Sequence, residues 1–280
     1  MDQQEPLRLE GLCGENGPIG QIRMGGCVDG VERLQAFFTG QPFAPHRHDR
    51  YAIGVTLRGV QTFSYRGERR QCLPGEGHVL HPDETHDGGA GGGDGFGYRI
   101  IYIDPALIQE ALGGKRLPFV ADPVLKQGDV APLAACLSEF DEPMGDFDRI
   151  DMAHLISSLL EKCAASIPRR RAPLHLPALS AVRQLIVDDP KTLHSVADFE
   201  GVSGLDRWTL ARQFRAAFGT SPTRFRTMRQ LDHARRLMES GQPLCDVALQ
   251  AGFADQSHMQ RMFKRTYGLT PGSWANMLSS

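Results

Sequence analysis

The first half of the chain alternates apolar and polar residues over short runs, a pattern typical of β-strands. Ile53, Val55 and Leu57 alternate in this way, and residues 61–65 and 98–103 repeat the pattern, with Gly or Pro between the runs. Evenly spaced short strands predict a small β-barrel or jelly roll in this half. The Gly-rich residues 88–97 (GGAGGGDGFG) predict a flexible loop, either a lid over the barrel or a plain solvated linker.

From residue 105 onward the apolar spacing becomes that of helices. Leu133, Leu137 and Phe140 form one stripe, and residues 150–160 form a second, broader stripe. That second stripe is wider than a helix lying on a barrel needs. We therefore expect it either to meet a partner helix in a homodimer or to pack within the chain. The prolines that follow predict a linker over residues 166–178.

The last third of the chain contains short amphipathic helices in series. In residues 255–267 one face is apolar, with Met259, Met262, Phe263, Thr266 and Tyr267, and the opposite face carries Ser257, Arg261 and Lys264. A shorter apolar stripe over residues 244–251 ends at Gly252, a residue suited to a sharp turn. Two short helices joined by such a turn, the second with basic residues outward, predict a helix-turn-helix that enters the DNA major groove.

The same pattern occurs once more upstream. Val196 and Gly201 precede Val247 and Gly252 by 51 positions, whereas residues 210–225 precede their counterparts by 49. Gly201 is therefore predicted to mark the first turn, which would be two residues longer than the second. The outward face of this first unit is in register with that of the second and consists of Trp208, Arg212 and Arg215. The repeat predicts two DNA-binding units.

A connecting helix is predicted between the two units, over residues 222–240. Pro222 stands at its start and Gly241 just beyond its end, which is the usual asymmetry of helix termini. A rigid helix at this place would hold both recognition helices on one face of DNA. Their expected separation is about 34 Å, one turn of the duplex.

Charge is divided unevenly along the chain. Residues 178–280 contain 13 Lys and Arg against 9 Asp and Glu, a net charge of +4, whereas residues 1–177 carry −6. A basic C-terminal half favours contact with nucleic acid. No apolar run approaches the roughly 20 residues of a membrane span. With no signal-peptide pattern and no C-x-x-C pair among six cysteines, we expect a cytoplasmic protein with reduced thiols and no membrane contact.

The C-terminal helices resemble the paired helix-turn-helix domain of AraC/XylS-type transcription regulators. The resemblance is carried by residues 210–226 (LARQFRAAFGTSPTRFR), 234–238 (ARRLM), 247–253 (VALQAGF) and 258–274 (HMQRMFKRTYGLTPGSW). It covers about a third of the chain. It implies sequence-specific binding to double-stranded DNA by both units.

Individual DNA contacts follow from side-chain chemistry and from the resemblance. We predict that Arg212 and Arg261 read bases, since a guanidinium can bond guanine O6 and N7 together. Phosphate contacts are expected at Arg215, Lys264 and Arg265. The predicted DNA-binding set is completed by Arg207, Trp208, Gln256, Ser257 and Gln260. Trp208 would cover a thymine methyl or a sugar, the alternative being that it packs against its own linker.

Residues 45–88 resemble the cupin-like effector domain found ahead of such DNA-binding units. His46, His48, Tyr51, Pro82 and His86 carry this second resemblance. It implies a barrel that takes up a small molecule. The effector-binding residues that we predict are His46, His48, Tyr51, Phe63, Tyr65 and His86.

Clustered imidazoles also raise the question of a metal. Enzymatic cupins usually have a carboxylate four residues after the second of the paired histidines, and this chain has Ala52 there. We therefore predict no metal, no other cofactor and no catalytic residues. A three-histidine zinc or iron site, and histidines with purely structural hydrogen bonds, are the open alternatives. His78 and His81 are expected to be ordinary surface or strand histidines.

The sequence thus predicts an α+β protein of two domains. Residues 1–165 would form the cupin-like β-barrel (jelly roll) with its helices, and residues 179–280 the all-α paired helix-turn-helix domain. We expect an effector-responsive transcription regulator that is not an enzyme and that contacts DNA, a small molecule and RNA polymerase. Two other classes stay open: a metal-dependent cupin enzyme with a DNA-binding tail, and a ligand-independent architectural DNA protein.

Overall fold

The structure, a computed structural model, describes residues 7–8, 20–39, 43–164, 173–268 and 270–272. Its strands are β1 (Leu7–Arg8), β2 (Gly20–Met24), β3 (Val31–Phe38), β4 (Phe43–His46), β5 (Tyr51–Gly59), β6 (Gln61–Tyr65), β7 (Glu68–Cys72), β8 (Gly77–Leu80), β9 (His86–Ala90), β10 (Phe96–Ile103) and β11 (Val124–Leu125). Its helices are α1 (Pro105–Ala111), α2 (Gln127–Ser138), α3 (Asp146–Cys163), α4 (Leu176–Asp188), α5 (Val196–Ser203), α6 (Arg207–Phe218), α7 (Pro222–Glu239), α8 (Leu244–Gln250) and α9 (Gln256–Tyr267).

The strands form two separate sheets. One has the order β1-β2-β3-β10-β5-β8-β11, and the other has the order β4-β9-β6-β7. All strand pairs described are antiparallel, and none of those pairs joins the two sheets. Of the two predicted forms, a small barrel or a jelly roll, the described strands fit the jelly roll, because the two sheets do not close into one barrel. The α+β class and the two-domain architecture are confirmed.

Strand β5 explains why this domain has two cores. Its residues are buried on both faces, and their side chains point alternately to opposite sides of the sheet. Tyr51, Ile53 and Val55 pack into an apolar cluster with residues of α1, α2 and α3. Ala52 faces the other way, into the space between the two sheets, where Phe63 is also buried.

The helical stripes pack within the chain. Leu133, Leu137 and Phe140 are buried, and in α3 the buried residues include Ile156 and Leu160. The expected partner helix is thus unnecessary for most of the broad stripe, because the sheet and the neighbouring helices already cover it. Ile150 remains 47% exposed. A homodimer stays a prediction.

Only half of the Gly-rich stretch 88–97 is loop, and the other half is sheet. Strand β9 extends to Ala90 and β10 begins at Phe96, so only residues 91–95 connect them. Gly88 packs against Phe43, where a Cβ atom would lie 3.3 Å from the ring. The absence of side chains lets the backbone approach its neighbours, and composition alone did not indicate that.

In the C-terminal domain α7 lies between two small cores. Phe225, near its start, packs with α4, α5 and α6, whereas Leu231 and Met238 pack with α8 and α9. Each core supports one helix-turn-helix unit, α5–α6 or α8–α9. The connecting helix and the second recognition helix are confirmed within one residue of their predicted bounds.

The first turn differs from our prediction. Gly201 continues α5, and Gly204 adopts the left-handed conformation with φ of 65° that ends the helix. Three residues separate α5 from α6 and five separate α8 from α9, so the first turn is the shorter one. The offset of two arises because α5 continues for seven residues after Val196 and α8 for only three after Val247, which is four more residues of helix against two fewer of turn.

Part of the predicted linker, residues 166–172, lies outside the described residues, as does Trp274. Helix α4 begins at Leu176, within the stretch that we assigned to the linker. The domain boundaries stay a prediction. Among the helices described, none has the length and apolar character needed to cross a membrane.

Candidate functional site

Helix α6 presents the first candidate DNA-reading face. Asp206 caps its N-terminus by accepting hydrogen bonds from the backbone N–H groups of Trp208 and Thr209, both at 3.0 Å. Leu210 and Phe214 are buried beneath it. This burial turns the remaining face outward, so that the exposed residues include Arg207, Trp208, Arg212 and Arg215. Trp208 is 77% exposed, which gives no support to packing against the linker.

Helix α9 presents the second face in the same way. Asp255 accepts a hydrogen bond from the N–H of His258 at 2.6 Å, and Met259 and Phe263 are buried. The solvent-facing residues are Ser257, Arg261, Lys264 and Arg265, with Gln256 and Gln260 partly exposed at the edge. All ten predicted DNA-binding residues therefore lie at the outer surface of the two recognition helices.

Ion pairs join the two domains. Arg229 of α7 donates to Asp49 at 2.5 Å, and Arg183 of α4 donates to Asp104 at 3.1 Å. Burial alone would lower the pKa of Arg229, but its carboxylate neighbours, Asp49 foremost, raise it above the usual value. The basic residues of the C-terminal half are thus divided between the DNA-reading faces and contact with the acidic sandwich.

Three predicted effector-binding histidines come together at one end of the sandwich. The ring centroids of His46 and His86 are 4.4 Å apart, those of His48 and His86 4.9 Å, and those of His46 and His48 6.2 Å. Each Nδ1 lies 2.8–3.0 Å from a backbone carbonyl, of Ala44, Arg50 and Glu84 respectively. A carbonyl only accepts, so each Nδ1 carries the proton and each Nε2 of a neutral ring is an acceptor.

Burial keeps these rings neutral. It lowers the pKa of His46, and it lowers the pKa of His48 to about 3, with a further contribution from His46. Burial and the two neighbouring imidazoles hold the pKa of His86 well below its usual range. The Nε2 atom of His48 is buried and has no hydrogen-bond partner among the described residues. The cluster therefore offers acceptor atoms to a hydrogen-bond donor.

A cavity of about 130 Å³ adjoins this cluster, between the sandwich and the C-terminal domain. His46, His48 and Tyr102 line its sandwich side, and Arg235 and Tyr267 line its other side. The Tyr102 ring meets His48 edge-on at 5.3 Å. Five of the lining residues are charged, namely Glu32, Asp49, Arg50, Asp232 and Arg235, and Glu32 pairs with Arg50 at 2.7 Å. A space with apolar walls and convergent polar and charged groups suits a small organic molecule that carries polar substituents.

The other predicted effector residues lie elsewhere in the sandwich. Phe63 is 5.7 Å from the His78 ring, and Tyr65 lies 2.9 Å from Nδ1 of His81. Tyr51 points to the helical side of the sheet and donates to the carbonyl of Pro118 at 3.3 Å. The structure thus brings the three histidines together but separates Tyr51 from them, because residues 51 and 52 face opposite sides of β5.

Two histidines that we expected at ordinary surface or strand positions are buried. His78 is 1% exposed and His81 6% exposed, and burial lowers the pKa of each to about 4. Tyr98 and Tyr102, which line the cavity, were not predicted. Their alternation with Ile100 in a β-prone run was the available signal, since residues two apart share a face.

The metal alternative finds no support in this arrangement. Across the residues that the structure describes, no group of three or more His, Cys, Asp or Glu side chains is placed to hold a metal ion.

Comparison with known proteins agrees with this architecture. Residues 30–160 match the family described as the AraC-like ligand binding domain, and residues 202–277 match a helix-turn-helix domain family. The chain is 26% identical over 228 residues to the HTH-type transcriptional regulator YbfI of Bacillus subtilis, covering 78% of this chain and 82% of that protein. It is also 26% identical over 235 residues to the arabinose operon regulatory protein of Salmonella typhimurium, covering 80% and 83% of the two chains.

A similar fold occurs in ToxT from Vibrio cholerae. A structure of ToxT with a bound unsaturated fatty acid aligns with a TM-score of 0.60 and 17% identity, over 94% of this chain and 97% of ToxT. The two domain matches lie in the order expected from the sequence, and the matched relatives are regulators of the same kind. The chain belongs to the AraC family of transcription regulators, with a ligand-binding domain ahead of a DNA-binding helix-turn-helix domain.

Proposed function

We propose that Arg212 and Arg261 read bases in two successive major grooves. The observation that carries this proposal is the repeated geometry: each arginine stands exposed at the same place on a recognition helix whose opposite face is buried. A bidentate contact from arginine to guanine contributes about 1–3 kcal/mol of discrimination. Trp208, Gln256, Ser257 and Gln260 flank the two arginines and complete the base-reading surface.

Arg215, Lys264 and Arg265, together with Arg207, contact the DNA backbone. Comparing Arg261→Ala with Lys264→Ala tests this division of roles, because the two residues lie on the same helix and both are exposed. Arg261→Ala is expected to weaken binding to the specific site while leaving non-specific binding nearly unchanged. Lys264→Ala should weaken both and reduce the slope of log affinity against log salt by about one. Equal behaviour of the two variants would contradict the assignment.

The effector occupies the space beside His46, His48 and His86. Three neutral imidazoles with protonated Nδ1 atoms present acceptors, so the ligand supplies hydroxyl or N–H donors. Hydroxyl-rich compounds, arabinose among them because of the Salmonella relative, are the first to test. A thermal-shift screen should find a compound that stabilises the wild type and does so less in His48→Gln. Equal stabilisation of both proteins would place the effector elsewhere.

The chain acts in the cytoplasm by binding DNA and not by catalysis, and RNA polymerase and a second copy are its protein partners. The exposed Phe147 and Ile150 of α3 supply an apolar surface for a homodimer. Sedimentation of Phe147→Ser and of the wild type tests this interface. A wild-type dimer that Phe147→Ser weakens supports the interface, and a dimer that the substitution leaves unchanged contradicts it. A metal-dependent enzyme would require stoichiometric zinc or iron in the purified protein, lost in His46→Ala.

A further inference from the structure

The loop between β8 and β9 lies against the end of the first recognition helix. Asp83, in this loop, has a side chain only 5% exposed, and its carboxylate contacts the Arg224 guanidinium. It also lies 3.4 Å from the guanidinium of Arg215 and 3.6 Å from that of Arg47. The Thr220 hydroxyl donates to the same carboxylate at 3.4 Å. Most of these partners belong to the DNA-binding domain.

Arg215 is also one of the residues expected to contact DNA phosphates. It lies on the same exposed face of α6 as Trp208 and Arg212, two turns beyond Trp208 and one turn beyond Arg212. A carboxylate oxygen pair and a phosphodiester oxygen pair offer a guanidinium similar acceptors. Arg215 therefore cannot pair fully with Asp83 and with DNA at the same time.

The loop also packs closely against the C-terminal end of α6. Gly219, which ends α6, has φ of 76°, and a Cβ atom there would lie 2.6 Å from Cβ of Pro82. The loop thus touches the helix end directly. A phosphate that took the place of the Asp83 carboxylate beside Arg215 and Arg224 would have to displace this loop.

We propose that Asp83 is an intramolecular phosphate mimic, which occupies a phosphate-binding site formed by Arg215, Arg224 and Thr220 and so restrains DNA binding. Arg224, which our sequence analysis did not select, thereby becomes a DNA-backbone contact. This inference rests on the proposed phosphate role of Arg215. The ligand of the site is a phosphodiester of DNA, and Asp83 competes with it.

The same loop is joined to the effector cluster. The N–H of Asp83 donates to the carbonyl of His48 at 2.7 Å, and Asp83 has a left-handed backbone with φ of 64°. Such a conformation is uncommon outside glycine and persists where neighbouring contacts fix it. A ligand that displaces His48 would alter one of those contacts. Such a ligand would change DNA binding only if its affinity differs between two states of the protein, one with Asp83 paired with Arg215 and one with Asp83 released.

Asp83→Asn tests the proposal, because asparagine tolerates the left-handed conformation and removes only the charge. Asp94→Asn is the matched control, since Asp94 is exposed in the connection between β9 and β10 and loses the same charge. Binding of both variants and of Arg215→Ala to the duplex upstream of the gene is measured by fluorescence anisotropy. Asp83→Asn should tighten binding by about five- to tenfold, within the usual range of coupling between sites.

Asp94→Asn should stay within about twofold of the wild type, and Asp83→Asn should tighten binding less in the Arg215→Ala background. If Arg215→Ala weakens DNA binding but Asp83→Asn does not tighten it, the phosphate mimic is overturned and the proposed function stands. If Arg215→Ala has no effect, the phosphate role of Arg215 is wrong, and the mimic with it. Should Asp83→Asn fail to fold, Asp83→Gly removes the same charge and accepts the same φ of 64°, and it must then tighten binding.

Discussion

Replacing His78 by leucine is expected to remove part of the protein's acid sensitivity without destabilising it at pH 7. His78 is buried between the sheets, with Phe63 and Tyr98 beside its ring. Neither ring nitrogen has a hydrogen-bond partner among the described residues. Leucine has a similar size and no polar atoms, so the substitution removes two unsatisfied groups that each cost about 1–3 kcal/mol to bury.

The pH effect can be worked out from the pKa. Burial lowers the pKa of His78 to about 4, from 6.5. Above pH 6.5 the ring is neutral in both states and pH has little effect on stability. As the pH falls below 6.5 the unfolded chain takes up a proton first, so stability is lost progressively down to the folded-state pKa. Between pH 7 and pH 5 the titration of His78 alone lowers the free energy of unfolding by about 2 kcal/mol.

Urea unfolding followed by circular dichroism at pH 7 and pH 5 measures this effect. The wild type should lose about 2 kcal/mol more than His78→Leu between the two pH values. His154→Leu is the control, because His154 is exposed on α3 and its removal tests the loss of a histidine as such. If His78→Leu and the wild type lose equal stability, His78 takes up a proton as readily in the folded protein as in the unfolded chain. The burial argument for the interior histidines would then be wrong.

Further substitutions test the packing and the DNA-reading faces. Phe214→Ala should lower the free energy of unfolding in urea titrations by about 3–5 kcal/mol, because its buried ring contacts Phe218 and Phe225. Leu193→Ala, at a side chain that is 78% exposed, should change it by about 0.5 kcal/mol or less. Gly219→Ala should lower the melting temperature more than Gly204→Ala, since both residues have positive φ but only Gly219 has Pro82 beside it; equal effects would contradict the contact. Trp208→Ala should weaken binding to specific DNA several-fold with no loss of stability, measured by anisotropy and calorimetry, because the indole is 77% exposed.

The helical half was predictable because each recognition helix has a complete amphipathic period and a capping residue. Met259 and Phe263 mark the buried face and Arg261 the outer one, and no distant contact overrides that pattern. The first turn was mispredicted because aligning Gly201 with Gly252 assumed equal helix lengths. The glycine that ends α5 is the one that adopts positive φ, which is Gly204. The local sequence is compatible with a helix end at either Gly201 or Gly204.

The candidate effector site was only partly predictable. The motif placed His46, His48 and His86 together, but strand alternation assigns Tyr51 to the other face of β5, where it packs with the helices. The interior positions of His78 and His81 depend on how the two sheets stack. The contacts of Asp83 join residues more than 130 positions apart, and no local pattern indicates that kind of pairing.

The most direct test of the central claim is the binding of Arg212→Ala/Arg261→Ala to the DNA upstream of the gene. Affinity is measured by anisotropy at two salt concentrations, with a scrambled duplex as competitor. If both helices read bases, the double variant loses its preference for the specific duplex over the scrambled one. The loss in binding free energy is about 2–6 kcal/mol for two bidentate contacts, and the weak, salt-sensitive binding remains. If the double variant and the wild type prefer the specific duplex equally, the two arginines do not read bases and the account of this domain is wrong.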